Sequence, residues 1–533
     1  MTYNYVMLAT ALLAGYLLWS LLQVSVHDPF IETQIATATD RTHIHQALRN
    51  PLNALPGPWH AKFTTLPGVL ATLSKQQAQH YHALHARFGP LVRTGPRQVF
   101  AADLDAFRAI HRVGGRFRKA DYYHYFGTTE AGRPPYGLFQ MTDPADHARR
   151  RKLLGAGFTA TALRGEWEDM VVGKVEAAVE GMRREAMLDD EGEVDVRKWW
   201  NLMACDVIST IMFGKSFDAL KAGRKDPWFD AVMVANQAAF AALSFPWLYE
   251  VIKRLPVIGN APFFHAHKAL MGKGKAAVKN SRQKWDSNDG SSSSSGANLF
   301  AKVLREADPE EGGRLTDADI AVEAGSFMIA GTDTTSNTLT YLVWAVLSHP
   351  DLQAALETEV WETFQDPSLI SDAALEKLPI LHAVIEETLR LHGAAPMPLP
   401  RIVPPGGVEL GGYHIPGGTE VATQAWTMHR DPRFYTDPER FDHTRWLPGG
   451  ECTTSEAARA AFAPFGAGSR GCIGKQLAYM ELRYGAAVFF RAFRGCRLAP
   501  SATPESMLMD NIVLIEPRGK VLKVVLPRAA GDA

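Results

Sequence analysis

The stretch at residues 462–482, FAPFGAGSRGCIGKQLAYMEL, limits what this chain can fold into more than any other part of the sequence. Three of its glycines have the G-x-G-x-x-G spacing that is typical of a dinucleotide-binding turn, and Cys472 follows them directly. Such a turn should follow an apolar strand and precede, by about 20 residues, an acidic residue that binds the ribose. Here Pro464 interrupts the residues before the glycines, and residues 486–496 contain no Asp or Glu. The glycines therefore indicate a different use, in which they leave space beside the cysteine.

The composition excludes several classes of protein. The 56 basic and 57 acidic residues of this 533-residue chain give a formal charge of -1, which argues against nucleic acid as the main partner. The four cysteines form no C-x-x-C pair and are too few for a disulfide scaffold, so we expect no zinc site and a reducing compartment. The length alone predicts about two to four domains.

The N-terminus has the properties of a membrane anchor. Residues 1–26 carry no charged side chain and include about 20 mainly apolar residues, enough to cross a bilayer. A cleavable signal peptide is the alternative, but the first residues contain no Lys or Arg and no clear A-x-A-type cleavage site follows. Arg41 and Arg49, the first positive charges, follow the apolar stretch and place the remainder in the cytosol. We therefore expect an anchor at residues 1–27, a linker at 28–54 and a globular body at 55–533.

Helical patterns dominate the body, and strand patterns are short. Helices are predicted over residues 164–187, 199–212, 317–347 and 379–391. Strands are predicted over residues 91–94, 99–101, 408–415, 420–424, 512–515 and 521–526. Residues 286–298, DSNDGSSSSSGAN, are predicted to form a flexible surface loop. These patterns indicate a mainly α fold with small β-sheets.

Cys472 is the first candidate functional residue. The helical pattern begins at Ile473, so the thiol is expected at a helix N-terminus, where amide N–H groups and the helix dipole stabilise a thiolate. Taken alone, however, a cysteine is more often an inert buried thiol.

The residues around the cysteine are more specific than the cysteine itself. Phe465-x-x-Gly468-x-Arg470-x-Cys472-x-Gly474 resembles the haem-binding loop of the cytochrome P-450 monooxygenases. The resemblance implies that Cys472 is the axial ligand of the iron in haem b (iron-protoporphyrin IX) and that the glycines clear space for the porphyrin. A thiolate ligand pushes electron density onto iron and favours O–O cleavage.

The centre of the predicted helix at 317–347 is unusually polar. There AGTDTTSNT places Ala330, Gly331, Asp333 and Thr334 between apolar flanks, against helix propensity. A solvent-facing polar turn is the alternative, but the apolar flanks indicate burial. The stretch is similar to the oxygen-activation motif of the same family, in which the helix opens near the glycine to form a groove for O2. The resemblance implies that Thr334 hydrogen-bonds the bound oxygen and that Asp333 helps to deliver protons.

Glu387 and Arg390 are one helical turn apart in VIEETLRLH, and PERF follows at residues 438–441. An i,i+3 pair of this kind is usually a solvated surface bridge of small energy. The family carries an E-x-x-R pair that is joined by an arginine from a P-E-R-F segment. The resemblance therefore implies a buried ion network of Glu387, Arg390 and Arg440 with a structural role.

Four cationic residues are candidate partners of the haem propionates. His147 and Arg151 are four residues apart and share one helical face, as do a Trp or His and an Arg in the family. Arg401 and Arg470 match two further arginines that the family places beside the haem.

Other cations near these positions suggest an electron donor. Arg149, Arg150 and Lys152 are expected to face outward, where a plain solvated surface is as good an explanation as a docking role. Lys475 and Arg483 add positive charge on the Cys472 side, which suggests that an acidic flavoprotein reductase docks there.

Three segments are candidates for the substrate pocket, although core packing explains each of them equally well. They are residues 121–139, rich in aromatic side chains, residues 236–249, and residues 394–399. Together they indicate an apolar substrate, with an aromatic one as an option.

The resemblance covers about residues 55–527 and implies one large, mainly helical domain with the cytochrome P-450 fold. It implies an O2-dependent monooxygenase of the endoplasmic reticulum membrane, supplied with electrons from NADPH by NADPH-cytochrome P-450 reductase, with cytochrome b5 as a further candidate donor. The reaction would be hydroxylation, epoxidation or desaturation of a polyketide, terpenoid or alkaloid intermediate of fungal secondary metabolism. Two alternatives remain at this point: a haem-thiolate isomerase or dehydratase that acts without O2, and a non-enzymatic haem sensor. The first typically lacks the acid–threonine pair, and the second does not need it.

Overall fold

The computed structural model describes residues 47–126, 134–225 and 315–527, together with a few single positions between 249 and 299. The predicted anchor at 1–27, the surface loop at 286–298 and nearly all of the candidate pocket segment at 236–249 lie outside the described residues. Within these described ranges, no helix combines the length and the apolar character that crossing a membrane requires.

Helices form most of the described body. The α-helices are Leu66–Leu73, Gln77–Phe88, Leu104–His111, Pro144–Gly155, Ala160–Glu166, Glu168–Met187, Val196–Phe213, Ala219–Ala222, Asp317–Leu347, Pro350–Thr363, Asp372–Leu375, Pro379–His392, Ala425–His429, Glu451–Thr454, Glu456–Ala461 and Lys475–Ala492. Short 3₁₀ helices are Pro51–Ala54, Trp59–Lys62, Asp121–Tyr125, Ala156–Phe158, Pro367–Leu369, His443–Trp446 and Gly468–Arg470. Four helices carry the site: the His147 helix (Pro144–Gly155), the long helix (Asp317–Leu347), the Glu387 helix (Pro379–His392) and the cysteine helix (Lys475–Ala492).

The strands are short and form four small sheets. They are β1 (Leu91–Gly95), β2 (Gln98–Ala101), β3 (Arg118–Lys119), β4 (Glu193–Asp195), β5 (Leu399–Ile402), β6 (Val408–Leu410), β7 (Tyr413–Ile415), β8 (Glu420–Thr423), β9 (Arg497–Leu498), β10 (Met509–Asn511), β11 (Ile515–Pro517) and β12 (Lys523–Val525). The largest sheet has the order β1-β2-β8-β5-β3, in which only β2 and β8 are parallel. The others are β4-β12-β9, β10-β11 and β6-β7.

The long helix is the centre of the core. A capping box begins it, since the Thr316 hydroxyl accepts from the Asp319 N–H and the Asp319 carboxylate accepts from the Thr316 N–H. Two glycines let its neighbours approach closely. A Cβ at Gly331 would lie 2.8 Å from Ile208 of helix Val196–Phe213, and one at Gly485 of the cysteine helix would lie 2.8 Å from Leu339. The polar centre of the long helix is therefore held between packed helices.

The sequence predictions differ from the structure at the ends of elements and at one strand, because residues 512–514 of the predicted strand at 512–515 form the bend between β10 and β11. The predicted helix at 164–187 is two helices, because Trp167 leaves helical geometry with φ of -129° between them. The predicted strand at 408–415 is the hairpin of β6 and β7, and the cysteine helix begins at Lys475 rather than at Ile473. The mainly α fold with small sheets is confirmed.

Candidate active site

Glycines shape the loop that precedes Cys472. Gly466 and Gly468 have φ of 68° and 66°, left-handed values that side chains other than glycine rarely adopt. A Cβ at Gly468 would also lie 1.9 Å from the carbonyl oxygen of His111, so no larger residue fits there. The Cys472 N–H donates to the Phe465 carbonyl at 2.8 Å and closes the loop. The backbone thus fixes where the cysteine side chain starts.

The thiol itself is exposed on one side of the loop. The protein atoms around it raise the pKa of Cys472 by desolvation, whereas the Gly474 N–H and the charges of Arg151 and Lys475 lower that pKa. Arg151 also donates to the Gly471 carbonyl at 2.7 Å, which ties the His147 helix to the loop. The net pKa of Cys472 is raised, so a bound metal ion would have to favour the thiolate, and the N–H donor and the two cations would help to stabilise it as a metal ligand.

Five basic side chains gather beside this loop, and we call Lys119, His147, Arg151, Arg401 and Arg470 the cation cluster. Lys119 and Arg401 are direct partners across β3 and β5. Desolvation first, and then the charges of the other four cluster members, together lower the pKa of His147 to about 3, so its imidazole is neutral at pH 7. Burial also lowers the pKa of Lys119 far below its usual value, with Arg401 and Arg470 adding to the effect. The cluster is therefore compact, and three of its members, Lys119, His147 and Arg401, are buried.

The cluster finds only neutral partners in the parts of the chain that the structure describes. Lys119 donates to the Phe139 carbonyl at 2.5 Å, Arg401 to the Tyr123 hydroxyl at 3.1 Å, and Arg470 to the Met141 carbonyl at 2.8 Å. Burying like charges without counter-ions is costly, so the arrangement fits a ligand that brings carboxylates.

The residues present therefore fit haem b, the group that the resemblance implies. Cys472 offers the metal ligand, the glycines clear one side of it, and the cation cluster matches two propionates. The ring of Phe465 packs against Tyr479 of the cysteine helix with centroids 5.3 Å apart, which supports the loop from behind. Sequence reasoning missed Lys119, because a two-residue strand has no recognisable pattern and only its register with Arg401 brings it to the site.

The polar centre of the long helix lies on a face that is open in the middle. Ala330 is exposed although it is halfway along a 31-residue helix, and Thr334 is half-buried one turn later. The Thr334 hydroxyl donates to the Ala330 carbonyl at 2.5 Å. The helix is unbroken at Gly331, so the expected opening at the glycine is not found. That glycine instead permits the close contact with Ile208.

Asp333 points to the neighbouring helix rather than along the open face. Its carboxylate accepts from the Asn201 amide at 2.9 Å and lies 3.6 Å from the Lys225 ammonium. The side chain keeps 19% of its surface exposed, so water can reach it. Asn201 was not found from the sequence, since nothing marks one asparagine in the middle of a buried helix.

Glu481 of the cysteine helix is a second carboxyl beside this centre, and sequence reasoning missed it as well. It is 1% exposed, shares a hydrogen bond with Thr335 of the long helix, and its Oε2 has no partner within the described ranges. Burial raises the pKa of Glu481 to about 8, while the Thr335 contact lowers it. The group is therefore a neutral acid at pH 7.

The predicted ion network exists, but one of its members is different. Glu387 and Arg390 are both fully buried and form two hydrogen bonds of 2.8 Å. The Arg440 side chain is 66% exposed and pairs with Asp442, so it contributes only its backbone carbonyl to Arg390. Arg445, which is 5% exposed, takes its place 3.4 Å from Glu387. The literal PERF match misled the prediction, because the chain turns Arg440 outward before it re-enters the network.

Two further charge predictions are corrected. Arg150 does not face outward, because it pairs with Glu323 at 2.8 Å and with Asp319 at 3.1 Å on the long helix. Arg483 is buried and pairs with Asp372 at 2.6 Å, so it adds no free charge near the cysteine. Arg149 and Lys152 are exposed as expected, and so is Lys475.

Comparisons with known proteins agree with this geometry. The family model described as cytochrome P-450 matches residues 56–524. The cytochrome P-450 monooxygenase cypX of Dothistroma septosporum is 38% identical over 490 residues, covering 91% of this chain and 92% of the relative. The monooxygenase aflV of Aspergillus parasiticus is 38% identical with coverages of 90% and 92%, and stcB of Emericella nidulans is 36% identical with coverages of 93% and 94%.

A solved structure supports the same architecture. The crystal structure of the cytochrome P-450DA haem domain aligns with a TM-score of 0.72 and covers 89% of this chain and 98% of that one. At 21% identity, this likeness concerns the fold alone.

Proposed function

The chain belongs to the cytochrome P-450 family and is a haem-thiolate monooxygenase, and from this premise we propose how its own residues share the work. Cys472 ligates the haem iron, and the cation cluster binds the propionates. Haem held by a thiolate supplies the activation of O2 that transfers one oxygen atom to an organic substrate. The observation that carries the proposal is an exposed thiol in a glycine-shaped loop beside the buried Lys119 and Arg401, which have only neutral partners among the described residues.

Thr334 and Asp333 are proposed to manage protons on the open face of the long helix. The Thr334 hydroxyl now donates to the Ala330 carbonyl, and rotation about χ1 would let it hold a proton or a water toward the substrate side. Asp333 must release Asn201 or Lys225 before its carboxylate can pass a proton from solvent. The Asp333 carboxylate would therefore supply the proton, and the Thr334 hydroxyl would place it.

An NADPH-dependent flavoprotein reductase is proposed as the electron donor. Three exposed cations support this proposal. Lys152 belongs to the His147 helix, Lys475 begins the cysteine helix, and Arg112 follows His111, whose carbonyl lies against Gly468. Acidic surfaces dock on such a cationic rim with strong salt dependence. Lys475→Glu should slow reduction at low salt several-fold, whereas Lys221→Glu, on the surface helix Ala219–Ala222, should not.

The substrate is proposed to be an apolar intermediate of fungal secondary metabolism. The mainly apolar 394–399 segment and the aromatic segment at 121–139 support an apolar site, and the compared relatives are fungal monooxygenases. Attachment to the endoplasmic reticulum is proposed from the uncharged apolar stretch at residues 1–26.

The deciding experiment is the carbon monoxide spectrum of the reduced, purified protein. A strongly red-shifted Soret band is expected for thiolate ligation, and Cys472→His should move the band to the position of histidine-ligated globins. A globin-like band in folded wild-type protein would refute the ligand assignment. For the proton role, Thr334→Ala should divert reducing equivalents into peroxide. Thr338→Ala is the matched control and should lack this effect, because the Thr338 hydroxyl likewise donates to a carbonyl one turn back.

A further inference from the structure

Glu323 is a buried carboxylate of the long helix that the proposed chemistry does not use. It is 1% exposed, and both of its oxygens accept from the Leu138 N–H, at 2.9 and 3.0 Å. Arg150 of the His147 helix adds an ion pair at 2.8 Å. Burial raises the pKa of Glu323 to about 6, whereas Arg150 and the Leu138 N–H lower it, so the group is charged at neutral pH.

Glu323 lies on the same helical face as the proposed oxygen site. Ala330 and Thr334 follow it by seven and eleven residues, which returns to nearly the same direction around an α-helix. The separation from Ala330 is about 10 Å along the helix axis. Glu323 therefore marks the N-terminal end of the face that is open at Ala330.

The segment at residues 137–139 covers this end of the face. A Cβ on Gly137 would lie 3.2 Å from both Val322 and Ser326, so the backbone rests directly on the helix. Leu138 is buried, and its N–H is the group that Glu323 binds. The next residue, Phe139, is 43% exposed.

The same segment is also fastened to the cation cluster. The Phe139 carbonyl accepts from Lys119 at 2.5 Å, and the lysine ammonium lies 4.4 Å from the centre of the Phe139 ring. The ring packs edge-on against Tyr123, with centroids 5.3 Å apart. Three adjacent residues thus join the long helix to the proposed propionate site and leave one aromatic ring exposed between the two attachments.

We propose that Glu323 is a positioning residue that sets the width of the substrate pocket. Its carboxylate holds the 137–139 segment against the long helix, and this keeps the exposed Phe139 ring at the edge of the face that carries Thr334. The inference rests on the proposed function, because the pocket matters only if the substrate is oxidised beside Thr334. Loss of the carboxylate should admit bulkier molecules and should leave the binding of small ones nearly unchanged.

Asp319 provides a matched control. It pairs with the same Arg150 at 3.1 Å and lies one turn earlier on the same helix. Its other partners, the Thr316 N–H and hydroxyl, cap the helix, and the 137–139 segment is not among them. Asp319→Asn therefore removes a negative charge beside Arg150 and leaves the hydrogen bond from the Leu138 N–H to Glu323 in place.

Hydrogen exchange of the full-length holoprotein tests the attachment directly. In Glu323→Ala, exchange at the Leu138 amide should rise about tenfold or more, because a charge-assisted hydrogen bond is lost. Glu323→Gln keeps a carbonyl acceptor and should restore part of the protection, and Asp319→Asn should resemble the wild type. Equal exchange in Glu323→Ala and the wild type, or equal effects of the alanine and Asp319→Asn variants, would overturn the proposal. If the alanine variant fails to fold, Glu323→Gln takes its place. In that variant at pH 8, an unchanged exchange rate at the Leu138 amide together with an unchanged association rate of 4-phenylimidazole, a bulky haem ligand, would overturn the proposal.

Ligand binding tests the consequence for pocket width. Imidazole and the bulkier 4-phenylimidazole are the two probes, and stopped-flow absorbance follows their binding to the ferric haem. Glu323→Ala should raise the association rate of 4-phenylimidazole several-fold more than that of imidazole, and equal changes for both probes would refute the pocket role. The exchange measurement does not depend on the iron ligand, so a globin-like carbon monoxide spectrum would refute the proposed function while the attachment by Glu323 could still be scored.

Discussion

Glu481 allows a quantitative test of the packing between the cysteine helix and the long helix. The carboxyl is 1% exposed, its Oε2 lacks a partner in the described parts of the chain, and burial raises its pKa from 4.5 to about 8. Above pH 4.5 the unfolded chain loses this proton, whereas the folded protein keeps it up to about pH 8. The folded state binds more protons in this window, so its stability must fall as the pH rises through it.

The size of the effect follows from the shift. Each pH unit above 4.5 costs about 1.4 kcal/mol until the folded group ionises, which gives about 3 kcal/mol at pH 7. Glu481→Gln removes the ionisable group and keeps its volume and an acceptor for Thr335. An unpaired amide adds a cost of about 1–3 kcal/mol that is the same at every pH. The slope of stability against pH, rather than the stability at one pH, is therefore the quantity to compare.

Urea unfolding of the holoprotein at pH 5, 6, 7 and 8, followed by far-ultraviolet circular dichroism, measures this slope. The difference in unfolding free energy between Glu481→Gln and the wild type should move in favour of the variant by about 3 kcal/mol between pH 5 and pH 7. A variant that tracks the wild type at every pH would refute the neutral, buried acid.

Glu387→Gln is the matched control with the opposite sign. Glu387 is as buried as Glu481, but its carboxylate compensates Arg390 and lies 3.4 Å from Arg445. Its loss leaves a buried charge uncompensated and should cost about 3–5 kcal/mol at all four pH values. If both glutamine variants behaved alike, burial alone would decide the outcome, and the distinction between paired and unpaired carboxylates would be wrong.

Three further predictions concern Arg445, Gly468 and Lys119. Arg445→Ala should lower the unfolding free energy by about 3–5 kcal/mol, whereas Arg440→Ala should leave it nearly unchanged, as urea unfolding will show. Gly468→Ala should prevent haem incorporation, measured by absorbance per mole of protein. Gly114→Ala has similar φ but open space at Cβ, so it should retain haem and cost only about 1–2 kcal/mol. Lys119→Met should raise the rate of haem transfer to apomyoglobin about tenfold or more, and an unchanged rate would exclude Lys119 from propionate binding.

Local sequence patterns predicted the parts of the fold that local forces determine. The long helix begins and ends where predicted, at Asp317 and Leu347, because a capping box begins it and apolar stretches lie on both sides of its polar centre. The pair Glu387 and Arg390 was also recognised, since both lie within one turn of one helix. Membership of the family followed from the cysteine loop, whose glycine positions leave few alternatives.

The residues that were missed or misassigned share a different property. Lys119 reaches the cation cluster through the register of β3 with β5, and Arg445 reaches Glu387 across 58 residues of chain. Asn201 and Glu481 act through helices that meet only in the folded protein. No local pattern encodes such partners, because their positions are set by packing between distant segments. A short motif such as PERF can even mislead, since the Arg440 side chain within it turns to solvent, whereas Arg445, which lies outside it, is buried beside Glu387.

Arg390 and Arg401 show where that packing is complete without a ligand and where it is not. Both guanidinium groups are buried, at 1% and 4% exposure. Arg390 has a carboxylate at 2.8 Å and three carbonyls, whereas Arg401 has a tyrosine hydroxyl and one carbonyl. A buried charge is stable only when opposite charge reaches it, so the first arginine belongs to the scaffold and the second to the site. Within the described residues, the Glu387 network therefore has a carboxylate partner for its arginine, whereas the arginine of the cation cluster has neutral partners and fits the propionates.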